Sequence, residues 1–239
     1  MPQEIKTIRL LLPYKLGSVN CYLIKNEGGF FLIDTGFSNN RAELEKEFAK
    51  AGCVPGNLKL VIITHGDFDH TGNAAYLRGK FAAQIAMHFD DFGMAERGDM
   101  FWNRGKGNSI LRMLAPMLFG FKKSDRFTPD ITLEDGYNLS GYGFDAKVLS
   151  LPGHSKGSIG IVTSGSDPSL GSGQALFCGD LLGNIDKPAL NSIMDDLTVA
   201  KASAKKLMSL EIDTVYPGHG TPFLMEQLIN EYQQPEIVS

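Results

Sequence analysis

Cysteine is scarce. Cys21, Cys53 and Cys178 are the only three in 239 residues, and they lie too far apart for a zinc-type pair or a disulfide framework. That usage excludes a disulfide-stapled secreted scaffold and favours a reducing compartment. Long hydrophobic runs are missing too, so no segment approaches the length of a membrane span. The start, Met1-Pro2-Gln3-Glu4-Ile5-Lys6, has no basic region followed by an apolar core, which a secretory signal needs. The expectation is a cytoplasmic protein without stable membrane insertion. Excess charge of one sign is also absent: the formal net charge is −4, so binding to nucleic acid through bulk charge is not expected. What remains is an ordinary globular composition, 43% hydrophobic and 21% charged, with a chain long enough for one large domain over residues 1–239.

Histidine is rare as well, five in all, so its placement matters. His65 and His70 enclose Asp67 and Asp69 in the stretch Thr64-His65-Gly66-Asp67-Phe68-Asp69-His70-Thr71-Gly72-Asn73. The stretch follows the apolar run Leu60-Val61-Ile62-Ile63, which reads as a buried strand. Carboxylates and imidazoles this close must be desolvated together, and a cation among them is the simplest compensation. The plainer alternative is a polar loop that happens to hold four such residues. Two further histidines sit in similar turns, Leu151-Pro152-Gly153-His154-Ser155 and Tyr216-Pro217-Gly218-His219-Gly220, each after a strand-like run. Between them Ala175-Leu176-Phe177-Cys178-Gly179-Asp180 sets another aspartate beyond a strand.

In order, spacing and flanking Thr, Gly and Pro, these segments resemble the metallo-β-lactamase superfamily, from Leu32-Ile33-Asp34-Thr35-Gly36 to the last Gly-His-Gly. The resemblance implies an α/β fold: a four-layer αβ/βα sandwich of two mixed β-sheets with helices on the outer faces. It assigns His65, Asp67 and His154 to one metal, Asp69, His70 and His219 to a second, and Asp180 to a bridge between them. It makes Asp34 a structural brace beneath the metal loops. One position departs from the family's commonest pattern, His-x-His-x-Asp-His: here it is His65-x-Asp67-x-Asp69-His70. An added oxygen ligand shifts a site from zinc toward iron or manganese. The flavo-diiron branch carries a glutamate there, one methylene longer than Asp67, so a site with a single filled position is an alternative.

The activity the resemblance implies is metal-dependent hydrolysis of a small ester-like substrate, a lactone, thioester or phosphoester. Two divalent ions, zinc first and iron or manganese as alternatives, would hold a hydroxide, with Asp69 orienting it and passing a proton to the leaving group. The rival is redox chemistry: a di-iron centre reducing oxygen or nitric oxide, or a single iron oxidising a sulfur compound. Asp67 favours that rival, whereas the chain carries no flavin domain beyond His219. A non-catalytic binding protein is disfavoured by the full ligand set. The want of an appended C-terminal domain argues against a standard glyoxalase II, and the want of positive charge against a nuclease. Asn184, Lys187 and Asn191 follow Asp180 and read as a solvated loop, Cys178 as a buried strand thiol, and His88 as a structural residue at a strand end.

Elsewhere the pattern predicts a strand meander over 8–33, a helix from Asn39 or Asn40 to Ala51, a short helix opened by Thr71-Gly72-Asn73, and strands at 84–87, 144–149, 158–163, 175–178 and 214–216. Helices are expected over 191–210 and 223–232, and a Gly/Ser loop over 164–173. An insert at about 89–130 breaks the rhythm. It is rich in Met and aromatic residues and carries Arg104, Lys106, Arg112, Lys122, Lys123 and Arg126. Its readings are a helical pair packed on the core, a homodimer surface, a wall of the substrate pocket or a membrane-surface patch.

Overall fold

The structure is a computed structural model describing residues 3–105, 109–163 and 173–233. Lys106 and nearly all of the expected Gly/Ser loop lie outside the described residues. The first sheet runs β1 (Glu4–Leu11), β2 (Ser18–Asn26), β3 (Gly29–Ile33), β4 (Leu58–Ile62), β5 (Gln84–His88) and β6 (Ile131–Leu133), in spatial order. Its first three strands pair antiparallel and the rest parallel. The second sheet contains β7 (Ala146–Ser150), β8 (Ile159–Thr163), β9 (Gln174–Asn184), β10 (Pro188–Leu190), β11 (Ile212–Gly220) and β12 (Phe223–Leu224), ordered β12-β11-β9-β8-β7 with β10 on β9. Helices are α1 (Arg41–Ala51), α2 (Phe68–Thr71), α3 (Ala74–Phe81), α4 (Phe92–Arg97), α5 (Ser109–Leu118), α6 (Leu197–Met208) and α7 (Met225–Gln233).

The layers follow from side-chain alternation. On β3, Phe31 and Ile33 face the second sheet, meeting Ile161, Phe177 and Tyr216, while Phe30 and Leu32 face the helices. Leu44 and Phe48 of α1 with Leu77 and Phe81 of α3 cover that outer face. Ala200, Ala204 and Leu207 of α6 with Leu228 of α7 cover the outer face of the second sheet, against Leu176 and Val215. Each fully buried Phe, Leu or Ile contributes about 1.5–3 kcal/mol. Two mixed sheets with helices outside are the expected architecture.

Four expectations at element level need correction. The strand expected over 175–178 runs on to Asn184 and carries Asp180 within it, because Gly179, with φ +51°, absorbs a register shift against β11 instead of ending the strand. The helix expected from Asn191 begins only at Leu197, capped by Asp196, whose carboxylate accepts the Thr198 and Val199 amides. Residues 191–196 are kept out of the helix by other bonds: Gly153 O accepts the Asp195 and Asp196 amides, and Ile193 O holds His154. Phe223 and Leu224 form a strand before the last helix. Finally, α5 does not bury the apolar face that the spacing of Ile110, Leu114, Met117 and Leu118 suggests: Ile110, Met117 and Leu118 are exposed, and Leu114 is half-buried. Among the described side chains of α5, Ala115 alone is fully buried, against Phe37, Phe68 and Phe121.

Candidate metal centre

All the nominated residues meet at one end of the two sheets. His65 follows β4, Asp67 precedes α2, and Asp69 and His70 lie on that single helical turn. His154 comes from the β7–β8 connection, while Asp180 and His219 stand on the neighbouring strands β9 and β11. The sheet edges therefore deliver groups far apart in sequence to one point, as open α/β sheets commonly do.

Every imidazole of the group is anchored through Nδ1. His70 Nδ1 donates to Asp34 Oδ2 at 2.8 Å, His154 Nδ1 to Ile193 O at 2.7 Å, and His219 Nδ1 to Ser18 O at 2.8 Å. His65 Nδ1 lies 3.0 Å from Thr64 Oγ1, whose own proton goes to Asp34 Oδ2 at 2.7 Å, so the ring N–H donates to the hydroxyl. With Nδ1 so engaged, the four Nε2 atoms are turned toward a common centre lined by carboxylates. Asp34, expected as a brace, also accepts the Thr64 amide at 2.8 Å and sits at φ +60°, a conformation Asp tolerates.

Around that centre, Asp180 Oδ1 lies 3.3 Å from His70 Nε2, and Oδ2 lies 3.1 Å from His219 Nε2 and 4.0 Å from His65 Nε2. Asp69 Oδ2 is 3.7 Å from His70 Nε2 and 3.4 Å from His219 Nε2. One ligand atom each from His65, His154 and Asp180, and likewise from Asp69, His70 and His219, come within 4.8 Å of one another. His65 Nε2, His70 Nε2 and Asp180 Oδ1 are buried without a hydrogen-bond partner. Buried polar atoms are seldom left so, and three orphaned acceptors facing each other fit cations. Room is kept by Gly218: a Cβ there would fall on Asp180 Oδ1.

Charge tells the same story. Burial would lower the His70 pKa, but Asp180, Asp34 and Asp69 together raise it well above the usual histidine value. His219, against burial, is pushed up to about 11 by Asp180 and Asp69. His65 is driven down, by burial first and then by His70 and His154. Three carboxylates thus draw positive charge into a space lined by imidazole nitrogens.

Asp67 differs from the rest. Its Oδ1 accepts a hydrogen bond from Arg104 Nη1 at 2.6 Å, while Oδ2 lies 3.0 Å from His154 Nε2 and 3.7 Å from His65 Nε2. Burial alone would raise its pKa; Arg104, then His154, hold the carboxyl well below the usual carboxylate range. Arg104 and its second carboxylate partner, Asp195, were not singled out as site residues from the sequence. Nor was Asp91, a buried carboxylate that accepts the Gly66 and Gly157 amides at 3.0 and 2.9 Å and the Ser155 hydroxyl at 2.6 Å, tying the His65 loop to the His154 loop. Its only sequence signal is a place beside Asp90 at the start of the insert.

The remaining candidates fall outside the cluster. His88 Nδ1 accepts the Asp90 amide at 3.2 Å, closing a turn. Lys187 pairs with Glu231 and Asn184 with Thr221, and only Asn191 reaches the cavity beside the site. Burial pushes the Cys178 thiol up to about 12, an inert strand cysteine. The cavity, about 330 Å³, has Asp69, Asp180, His154 and His219 at its floor and an apolar wall that includes Leu16, Phe37, Phe68, Met100, Phe119 and Ile193. The insert therefore supplies part of a pocket wall, through Met100 and Phe119.

A model of the metallo-β-lactamase superfamily matches residues 14–219. The chain belongs to the metallo-β-lactamase superfamily. It is 28% identical to the hydroxyacylglutathione hydrolase GloC of Haemophilus influenzae over 217 residues, covering 88% of this chain and 90% of that protein. Among solved structures, TTHA1623 in a di-iron-bound form superposes with a TM-score of 0.65 at 27% identity, covering 98% of this chain and all of that one. The B3 metallo-β-lactamase BLEG-1 superposes with a TM-score of 0.68 over 98% of this chain at 20% identity, which speaks for the fold alone. The superfamily assignment makes this chain a hydrolase at the level of the family.

Proposed function

We propose that the protein is a binuclear metal-dependent hydrolase of a small ester-like substrate bearing an apolar group. The supporting observation is the fixed inward set of four Nε2 atoms with Asp180 between them. In this reading His65, Asp67 and His154 hold one ion, Asp69, His70 and His219 the other, and Asp180 both. The imidazole-rich set suits zinc, and such ions polarise a substrate oxygen and bring the pKa of water to about 7. The chain's own part is positional. Asp69, at the cavity floor, turns Oδ2 toward His70 and His219 and keeps Oδ1 to take the proton of the attacking water and hand it to the leaving group. The apolar wall excludes water and seats the hydrocarbon part of the substrate.

Among ester-like substrates, a thioester draws support from the hydroxyacylglutathione hydrolase relative. That protein aligns over 90% of its own length with this chain, so its name is carried without a large appended domain. The redox alternative rests on Asp67 and on the di-iron-bound relative. Metal content per chain, measured on protein purified without added metal or chelator, is expected to be about two zinc or manganese ions, with turnover in a lactone, thioester and phosphoester panel. Two irons with oxygen or nitric oxide consumption and no hydrolysis would overturn the hydrolytic reading.

Metal removal gives an independent check. A ligand held at about a thousand times its Kd adds ~4 kcal/mol to stability. Chelation is then expected to lower the melting temperature by about 10 °C for a chain of this size. An unchanged melting curve after complete stripping would mean that the cluster holds no tightly bound ion.

A further inference from the structure

We propose that Arg104 is a positioning residue for the first ion: it occupies one oxygen of Asp67 so that the other is presented between His65 and His154. The inference rests on the binuclear reading above and concerns a residue that none of the motifs contains. An aspartate has two equivalent oxygens and a rotatable carboxylate, so by itself it can offer an ion either oxygen, or both. Here Oδ1 is committed to Arg104 Nη1 at 2.6 Å, and Oδ2 is the oxygen facing His154 Nε2 at 3.0 Å and His65 Nε2 at 3.7 Å.

The guanidinium is itself fixed. Its side chain is only 6% exposed, Nη1 also donates to Met100 O at 3.2 Å, Nη2 to His154 O at 3.4 Å, and Nε lies 2.8 Å from Asp195 Oδ2. Arg112 Nη2 donates to Phe101 O at 2.9 Å and to Arg104 O at 3.3 Å, which holds the segment that carries Arg104. The contact to His154 O also couples the guanidinium to the loop of a second ligand. A planar fork with several donors can serve an aspartate, a carbonyl and a second carboxylate at once, which an ammonium cannot do equally well.

Charge balance points the same way. A carboxylate paired with a guanidinium is neutral as a unit, so the ion meets an oxygen donor without a further uncompensated negative charge in a buried space. Asp195, 22% exposed, then offsets the guanidinium toward solvent. The insert thus contributes more than a pocket wall: through Arg104 it reaches the coordination sphere of the loop at 65–70.

The test is a zinc titration of metal-stripped full-length protein against a chelating indicator, which reads the two binding steps without reference to activity. Wild type is expected to take up two ions. Arg104→Met is expected to weaken one step by about 10- to 100-fold and leave the other unchanged. Arg104→Lys, which keeps a cationic donor, should recover part of the loss. Asp67→Asn should weaken the same step, and Arg104→Met added to Asp67→Asn should cost little more, because Arg104 acts through Asp67. A merely structural arginine would instead give additive losses or weaken both steps equally, and either result overturns the inference. So does an Arg104→Met titration that matches wild type. If Arg104→Met does not fold, Arg104→Lys and Asp67→Asn with their double variant complete the same cycle. A wild-type chain that binds fewer than two ions would overturn the binuclear reading, and this inference with it.

Discussion

Asp180→Ala is expected to lose at least one of two ions and to lower hydrolytic turnover by about a thousandfold, the equivalent of the several kcal/mol that a metal contributes to stabilising charge in the transition state. The size follows from position. Asp180 Oδ1 is 3.3 Å from His70 Nε2 and Oδ2 is 3.1 Å from His219 Nε2, while Oδ2 also approaches His65 Nε2 at 4.0 Å. Among the described residues, no other nominated carboxylate has ion-pair contacts to nitrogens of both triads. Alanine would leave four inward imidazoles sharing less negative charge, a set less able to hold two dications together. The fold should survive, because Asp180 sits on β9, whose flanking residues Phe177, Leu181 and Leu182 are buried in the cores. Elemental analysis and circular dichroism on the same preparation separate the two effects. Two ions per chain with wild-type turnover in Asp180→Ala would remove Asp180 from the site altogether.

The clustered histidines and aspartates were legible because each carries a local signal, a polar group immediately after an apolar run or inside a Pro-Gly-His turn. Asp34 was legible for the same reason, from its place at the end of β3. What supports them was not. Arg104 becomes a partner of Asp67 only when the insert folds back over the site, and no spacing rule links positions 37 residues apart. Asp91 reads as one of two acidic residues starting a turn, and its role follows from Gly157, where any Cβ would collide with that carboxylate. The late start of α6 has a similar cause: Ile193 and Asp195 satisfy helical patterning, yet their polar groups are used by His154, Gly153 and Arg104. Tertiary demand at the site overrides local propensity there. On α5 the discrepancy is of another kind. Ile110, Leu114, Met117 and Leu118 have the spacing of a buried face, but the core beneath is already filled by Phe37, Phe68 and Phe121, so that among the described side chains of the helix Ala115 alone is buried in it.

Asp34→Asn is the sharpest test of the anchoring scheme, because the substitution changes one atom and keeps the shape. Asparagine accepts the φ of +60° at this position as readily as aspartate does, so the backbone has no reason to move. The hydrogen-bond demand is what fails. Three donors converge on the two carboxylate oxygens: the Thr64 amide at 2.8 Å, the Thr64 hydroxyl at 2.7 Å and His70 Nδ1 at 2.8 Å. An amide offers one oxygen and one NH2. If the NH2 replaces Oδ1, it faces the Thr64 N–H, and a buried donor is left opposite a donor at a cost of about 1–3 kcal/mol. If it replaces Oδ2, it donates to His70 Nδ1 and drives the ring proton to Nε2, the nitrogen that faces Asp180 and Asp69. Either arrangement spoils His70 as an inward acceptor or strains the loop that carries His65. The expected outcome is a loss of affinity of about 10- to 100-fold for the ion that the proposed binuclear site assigns to Asp69, His70 and His219, with turnover falling in step at limiting metal and the secondary structure unchanged. Metal titration with activity followed in parallel measures both. Recovery of wild-type turnover at saturating metal would place Asp34 in site assembly, whereas unchanged affinity and unchanged activity would mean that the His70 tautomer is fixed by something other than Asp34.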